Sequence, residues 1–251
     1  MDSSSNIIQI DDLRVDGLSS ETMSRLAPGL FVGTGTPSFG WRLSSGRQRA
    51  CRVAAASSPE GLAAPDLWDS GWLETANSLA VPYEGKALSS RQRVWVQVFV
   101  ETEDGRRGQS APLDFTVGLL EASDWQGKWI YADGFEHIAP APVPCFRREF
   151  ALRKAPLKRA LLFCTAKGLL EVTLNGRRVD EHEFLPGWTD FHQEVQYLAY
   201  DVTAFLQEGT NTLATLLGDG WHTASFPAAQ RVAELAVVEV AGQQRAVAPA
   251  P

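Results

Sequence analysis

Apolar and polar positions alternate along most of this chain with the two-residue period of a strand. Val94, Val96, Val98 and Val100 alternate with Trp95, Gln97 and Phe99, and Glu103-Asp104-Gly105 then turns the chain. A period of two places one set on each face, so this stretch reads as a strand followed by a hairpin. Both faces carry apolar groups, which predicts a central strand. Ile7–Ile10, Leu13–Val15, Phe39–Leu43, Ala50–Ala54 and Leu113–Val117 predict further short strands separated by turn residues. Trp41, Trp68, Trp72 and Trp95 are expected in the core of the resulting sandwich, where indole rings bury the most apolar area.

The pattern predicts an all-β fold in two parts. Residues 1–117 have the strand density of a fibronectin type III or immunoglobulin-like sandwich. Residues 118–144 change character: DWQGKWI reads as an edge strand, and Pro140, Pro142 and Pro144 make an extended linker because proline cannot continue a helix. A second β pattern fills 145–223. CFRREFAL and RALLFCTA are strands, and GLLEVTLNGRRV places Asn175-Gly176 between two strands, a strong hairpin signal. EVQYLAYDV and NTLATLLGDGW add strands, with a short helical turn after Asp201. The expectation is an incomplete jelly-roll-like β-sandwich. Residues 224–251 hold nine alanines and three prolines, so AVVEVA is expected as one strand and QQRAVAPAP as disordered, a divergent tail.

Composition narrows the functions. The 251-residue chain is long enough to bury a real core, with a formal charge of −7 and a pI near 5.2. That balance argues against nucleic acid, whose binding rests on clustered Lys and Arg. No apolar run reaches the length of a membrane span. The opening MDSSSNIIQIDD lacks a basic n-region and an apolar h-region, so a cytoplasmic location is expected. Cys51, Cys145 and Cys164 give an odd count without C-x-x-C spacing and read as buried small hydrophobes. Asp180-Glu181-His182-Glu183 could be taken for a metal cluster, yet it follows Asn175-Gly176 and reads better as a polar turn.

Several segments recur in one order: LRVDGL (13–18), LWDSG (67–71), SRQRVWV (90–96), GLLEASDWQGKWI (118–130), FRREF (146–150), LNGRRV (174–179), LPGWTDF (185–191), Tyr200-Asp201-Val202-Thr203 and LGDGW (217–221). Together they resemble the N-terminal part of a large multidomain bacterial α-L-rhamnosidase. The resemblance implies a fibronectin-like sandwich, then a sandwich similar to a carbohydrate-binding module, then further β domains around an (α/α)6 barrel with the catalytic carboxylates. Such enzymes hydrolyse terminal α-L-rhamnosides with inversion. This sequence holds no long run of helical repeats, so no catalytic residue is assigned and the chain alone is expected to be inactive, its partner being the missing catalytic domain. The departure from the family pattern after Trp221 resembles a truncated or frame-shifted copy.

Inverting hydrolysis needs two carboxylates roughly 6.5–9.5 Å apart, one of them with a raised pKa. Asp190, Asp201 and Asp219 lie near aromatics, but Asp201 reads as a cap of a helical turn and Asp219, between glycines, as a turn stabiliser. Binding asks for less: a ring stacked on a sugar face and a carboxylate or amide for its hydroxyls. Trp188 and Trp221 are the candidate stacking residues, with Asp190, Asn175 and Asp219 as polar neighbours; the alternative is that the two rings pack against an adjoining domain of the full enzyme. The resemblance implies rhamnose as the sugar and calcium, held in part by Asp190, as a candidate bridging ion. Phe191 stands where a second oxygen donor would help. Three readings follow: a non-catalytic rhamnosidase portion acting as scaffold or sugar-recognition module, an autonomous rhamnose-binding module, and a fibronectin-like protein-interaction module.

Overall fold

The computed structural model describes residues 8–19, 29–130, 143–152 and 157–220, with the strand backbones at 233–235, 237–240 and 243–246. Two compact units divide the chain, one built on Leu30–Asp124 and the other on Trp125–Pro251.

The first unit contains β1 (Ile10–Val15), β2 (Phe31–Val32), β3 (Ser38–Leu43), β4 (Gln48–Ala56), β5 (Trp68–Asp69), β6 (Leu73–Glu74), β7 (Val81–Pro82), β8 (Arg93–Thr102), β9 (Arg107–Gln109) and β10 (Leu113–Val117). One sheet has the order β1-β3-β7 and the other β2-β10-β8-β4-β5, with β6 joined to β4 and β9 to β8. As the valine alternation predicts, β8 is central, between β10 and β4. Val94, Val96, Val98 and Val100 are fully buried and meet Phe39, Trp41 and Phe115 between the sheets.

The opposite face of β8 is also covered. Leu62, from a 3-10 turn at Glu60–Ala63, packs with Ala54, Ala56, Trp95 and Phe99. The Arg93 guanidinium lies 4.5 Å from the Trp95 ring centroid and that of Arg52 5.2 Å from Phe99. Arg52 is held by two hydrogen bonds to Asp69, at 2.7 and 2.6 Å. Arginine thus shields rings on the outer face while keeping its charge in water.

Most strands fall where the alternation puts them. Ile7 lies outside the described residues, and Ile10 through Val15 form one strand with a register shift between Asp11 and Arg14. The two-residue strands β2, β5, β6 and β7 are too short to show a period. Trp41 is buried and Trp68 and Trp95 are half-buried, but Trp72, also expected in the core, is 45% exposed beneath the Arg107 guanidinium. Cys51 and Cys164 are buried; Cys145 is exposed, because it starts an edge strand with its side chain outward. Burial pushes the Cys51 thiol up to about 11.

The second unit contains β11 (Trp129–Ile130), β12 (Cys145–Leu152), β13 (Leu161–Ala166), β14 (Leu169–Leu174), β15 (Arg177–Arg178), β16 (Leu198–Asp201), β17 (Gly209–Gly218), β18 (Ala233–Leu235), β19 (Val237–Val240) and β20 (Gln243–Ala246). Its sheets run β11-β18-β13-β16 and β12-β17-β14-β15, with β19 and β20 as a separate hairpin. DWQGKWI does supply an edge strand, β11. The prolines at 140 and 142 lie outside the described residues.

The tail differs from expectation. AVVEVA contributes β19, but QQRA, expected without structure, is β20 and pairs with it from Val237↔Ala246 to Val240↔Gln243. Further upstream, β18 pairs with β13 from Cys164↔Leu235 to Ala166↔Ala233. All six residues of β13 are buried, since β16 and β18 take its two edges while β14 and β19 approach it. Backbone pairing is indifferent to an alanine-rich composition, which is why composition misread this stretch.

In the first unit, the buried Gln48 side chain accepts from Trp41 Nε1 at 2.9 Å and donates to the carbonyls of Thr75 and Asn77 at 3.0 and 2.9 Å. Gln48→Ala leaves a buried indole N–H without its acceptor. The expected loss is about 2–4 kcal/mol in the unfolding of this unit, measured by denaturant titration; a loss below about 0.5 kcal/mol would contradict the network.

Candidate functional site

The predicted site residues all belong to the second unit, and their positions follow from two tight turns and one long loop. At the β14–β15 turn, Asn175 (φ 52°) and Gly176 (φ 76°) both take left-handed backbone, as a two-residue hairpin with Asn-Gly requires. The Asn175 amide donates to the Phe205 carbonyl and to Asn211 Oδ1, both at 2.8 Å, and its Oδ1 accepts from the Thr212 backbone N–H at 2.8 Å. Both amide hydrogens are therefore committed to the protein itself. Asn211, fully buried, extends the network to Gln207 N, Gln207 O and Gly209 O. The sequence reading missed Asn211; its position four residues after Gln207 at a strand start was the available signal.

After β15 the chain makes a polar turn. Asp180 Oδ1 accepts from His182 N at 2.9 Å and lies 2.6 Å from His182 Nδ1, while Arg178 reaches Glu183 at 3.3 Å. The ligand atoms of Asp180, Glu181 and His182 lie within 4.8 Å of one another. Burial first, then the nearby groups Cys164 and Asp180, raise the phenol of buried Tyr200. The Asp180 carboxylate therefore closes its own turn.

LPGWTDF follows. Phe184 (φ 61°) stands 76% exposed, and the Leu185 carbonyl accepts from Leu170 N at 2.8 Å. Pro186 is buried, Gly187 has φ 106°, and Trp188 is 68% exposed. Thr189 Oγ1 donates to the Glu194 carbonyl. Asp190 is a turn former: Oδ1 accepts from His192 N at 3.1 Å, Oδ2 from Gln193 Nε2 at 2.7 Å, and its carbonyl from the N–H groups of Gln193 and Glu194. The His192 N–H, then Gln193, hold its carboxyl below the ordinary aspartate range.

The LGDGW stretch ends β17. There Gly168 packs so closely on Gly218 that a Cβ would sit 2.3 Å from the Gly218 carbonyl oxygen. Asp219 is exposed beside this contact, and Trp221 lies outside the described residues. Leu170 links the motifs, being in register with Leu217 on one side and bonded to Leu185 on the other. LPGW and LGDG thus border the same end of β14, whereas Asn175, grouped with them in the sequence, follows its other end.

Every carboxylate among the described residues whose titration the fold clearly moves (Asp12, Asp66, Asp69, Glu101, Asp104, Asp124 and Asp190) is moved down, by arginine, hydroxyl, amide or backbone N–H donors. A glycosidase acid needs the reverse. The donor set around Asp190 does not fit calcium either, because its oxygens face N–H groups and Phe191 brings no oxygen. An open cleft of about 530 Å³ in the first unit, between Ile10–Arg14 and Ser110–Leu113, has its Asp12 paired with Arg14 and Arg42.

Comparison with known proteins identifies both units. Residues 17–121 match the Rha78A-like N-terminal immunoglobulin domain and 155–240 the α-L-rhamnosidase N-terminal domain. The second match runs past residue 223 into the stretch expected to diverge. The chain is 35% identical over 199 residues to an α-L-rhamnosidase of Formosa agariphila, covering 74% of this chain and 22% of that protein. It is 34% identical over 202 residues to one of Alteromonas sp. (strain LOR), covering 75% and 22%. The solved α-L-rhamnosidase from Dictyoglumus thermophilum superposes with a TM-score of 0.78 at 25% identity, covering 96% of this chain and 29% of that one. The chain thus spans about 22% of the length of the curated relatives it matches.

Two outcomes are expected at this site. Asn175→Ala orphans the Phe205 carbonyl and the Thr212 N–H, and should cost the second unit about 2–3 kcal/mol in denaturant unfolding; an unchanged midpoint would contradict the bonding. Asp190, with its folded pKa depressed, stabilises its turn fully above the ordinary aspartate value and loses that effect as pH falls through the folded value. Carboxyl NMR should show Asp190 titrating below a reference aspartate, and a midpoint at or above the reference would contradict the turn.

Proposed function

The chain belongs to the α-L-rhamnosidase family, whose N-terminal domains it carries, and from that premise we propose that it serves as a non-catalytic scaffold for the hydrolysis of terminal α-L-rhamnosides with inversion. The observation that carries this reading is the ordered pair of family matches, 17–121 and 155–240, on a chain spanning 22% of its relatives' length. In this reading the reaction belongs to the remaining portion of such an enzyme, and these two units hold and orient it.

A second reading, rhamnose recognition, is favoured by one observation: the Trp188 ring is 68% exposed two residues from the carboxylate of Asp190. A ring and a carboxylate can hold the apolar face and the hydroxyls of a 6-deoxy sugar. Against it, Asn175 is committed internally and the oxygens of Asp190 already accept two hydrogen bonds.

The purified chain is expected to release no aryl aglycone from an aryl α-L-rhamnoside. It is also expected to give no binding heat with millimolar L-rhamnose, with or without calcium. Turnover abolished by substituting one of this chain's carboxylates would overturn the scaffold reading, and saturable rhamnose heat lost in Trp188→Ala would establish the second.

A further inference from the structure

Two large aromatic side chains, Phe184 and Trp188, stand 76% and 68% exposed on one loop, four residues apart. That loop is held at many points. Arg178 reaches Glu183, Leu170 N bonds the Leu185 carbonyl, Pro186 is buried, and Thr189 and Asp190 close the turn behind Trp188. Aromatic rings presented on a braced loop lose little conformational freedom when covered, as interface anchors do.

The shape is wrong for a small ligand. Small-molecule sites are concave and enclose most of the ligand surface. Among the described residues, the recess that Leu185 of this loop borders with Asp180, His182 and Tyr200 holds about 10 Å³, too little for a sugar. Rings standing this far out suit insertion into a pocket on another protein surface.

A second copy of this chain is a weak occupant. A two-fold pairing of both loops buries four rings, on the order of 800 Å² at about 200 Å² per ring. Stable dimers need roughly 1,200 Å² or more. A patch of that size suffices when the partner is held nearby by covalent linkage, which raises its effective concentration into the millimolar range. Relatives supply such a partner, because this chain aligns with only 22% of their length.

We propose that the Phe184–Trp188 loop is the docking anchor by which these N-terminal units hold the rest of an α-L-rhamnosidase, the two rings entering an apolar pocket on that remainder. This rests on the scaffold reading and gives it a contact surface. Trp188 is then an interface residue, and Asp190 acts by bracing the loop from behind.

Domain replacement tests it. The Formosa agariphila relative is produced without the N-terminal portion that aligns with this chain, and the 251-residue chain is fused in its place, so that the two remain covalently linked. Hydrolysis of an aryl α-L-rhamnoside is read for the wild type, for Phe184→Ser/Trp188→Ser, and for Trp72→Ser, which removes an exposed ring from the first unit. Circular dichroism and melting confirm that both variants keep the wild-type fold, as expected for exposed positions. The inference expects activity restored by the wild type and by Trp72→Ser, and at least tenfold less restored by the double variant at equal concentration. Equal restoration by the double variant overturns the docking anchor and leaves the scaffold reading standing. No restoration by the wild type overturns both.

Discussion

The second unit depends on a pair of bonded amides, half-buried Asn175 and fully buried Asn211. Asn175 ties the β14–β15 turn to Phe205 and Thr212, and Asn211 ties the start of β17 to Gln207 and Gly209. The two bond each other at 2.8 Å. Buried polar groups are costly unless satisfied, so the pair fixes one register of β14 against β17. That register sets Leu170 opposite Leu217 and leaves its N–H to capture Leu185. The position of LPGWTDF is thus settled by amides at the other end of the strand.

The same economy explains why the candidate site reads as construction. Asp190, Asp180 and Asn175 are residue types that bind sugars and metals, and each is occupied in closing its own turn. Short polar side chains compete for nearby backbone groups, and at loop starts they win. The rings of Phe184 and Trp188 are instead left largely in water, at 76% and 68% exposure. Exposing Phe184 and Trp188 leaves apolar area in water, which supports a partner of apolar character.

Much of this was legible in the sequence, and the failures have physical causes. The valines of β8, the Asn-Gly hairpin and β10 were visible because period and turn chemistry are local properties. The order of motifs through LGDGW identified the family that the comparisons then showed. Trp72 was misplaced because a guanidinium can cover a ring on the outside as a core does on the inside. Strands β18 and β20 were hidden because their partners are far away or carry no alternation. The role of Asn175 could not be read, since it depends on Phe205 and Asn211, some thirty residues on.

The central claim is that the exposed ring of Trp188 meets protein and not sugar. The indole N–H resonance of Trp188, assigned by its loss in Trp188→Phe, reports its surroundings directly. The expected result is no shift with L-rhamnose up to tens of millimolar, with or without calcium, and a shift or broadening when the remainder of an α-L-rhamnosidase is fused to the chain. A saturable shift with L-rhamnose, together with none on fusing that remainder, would contradict the account.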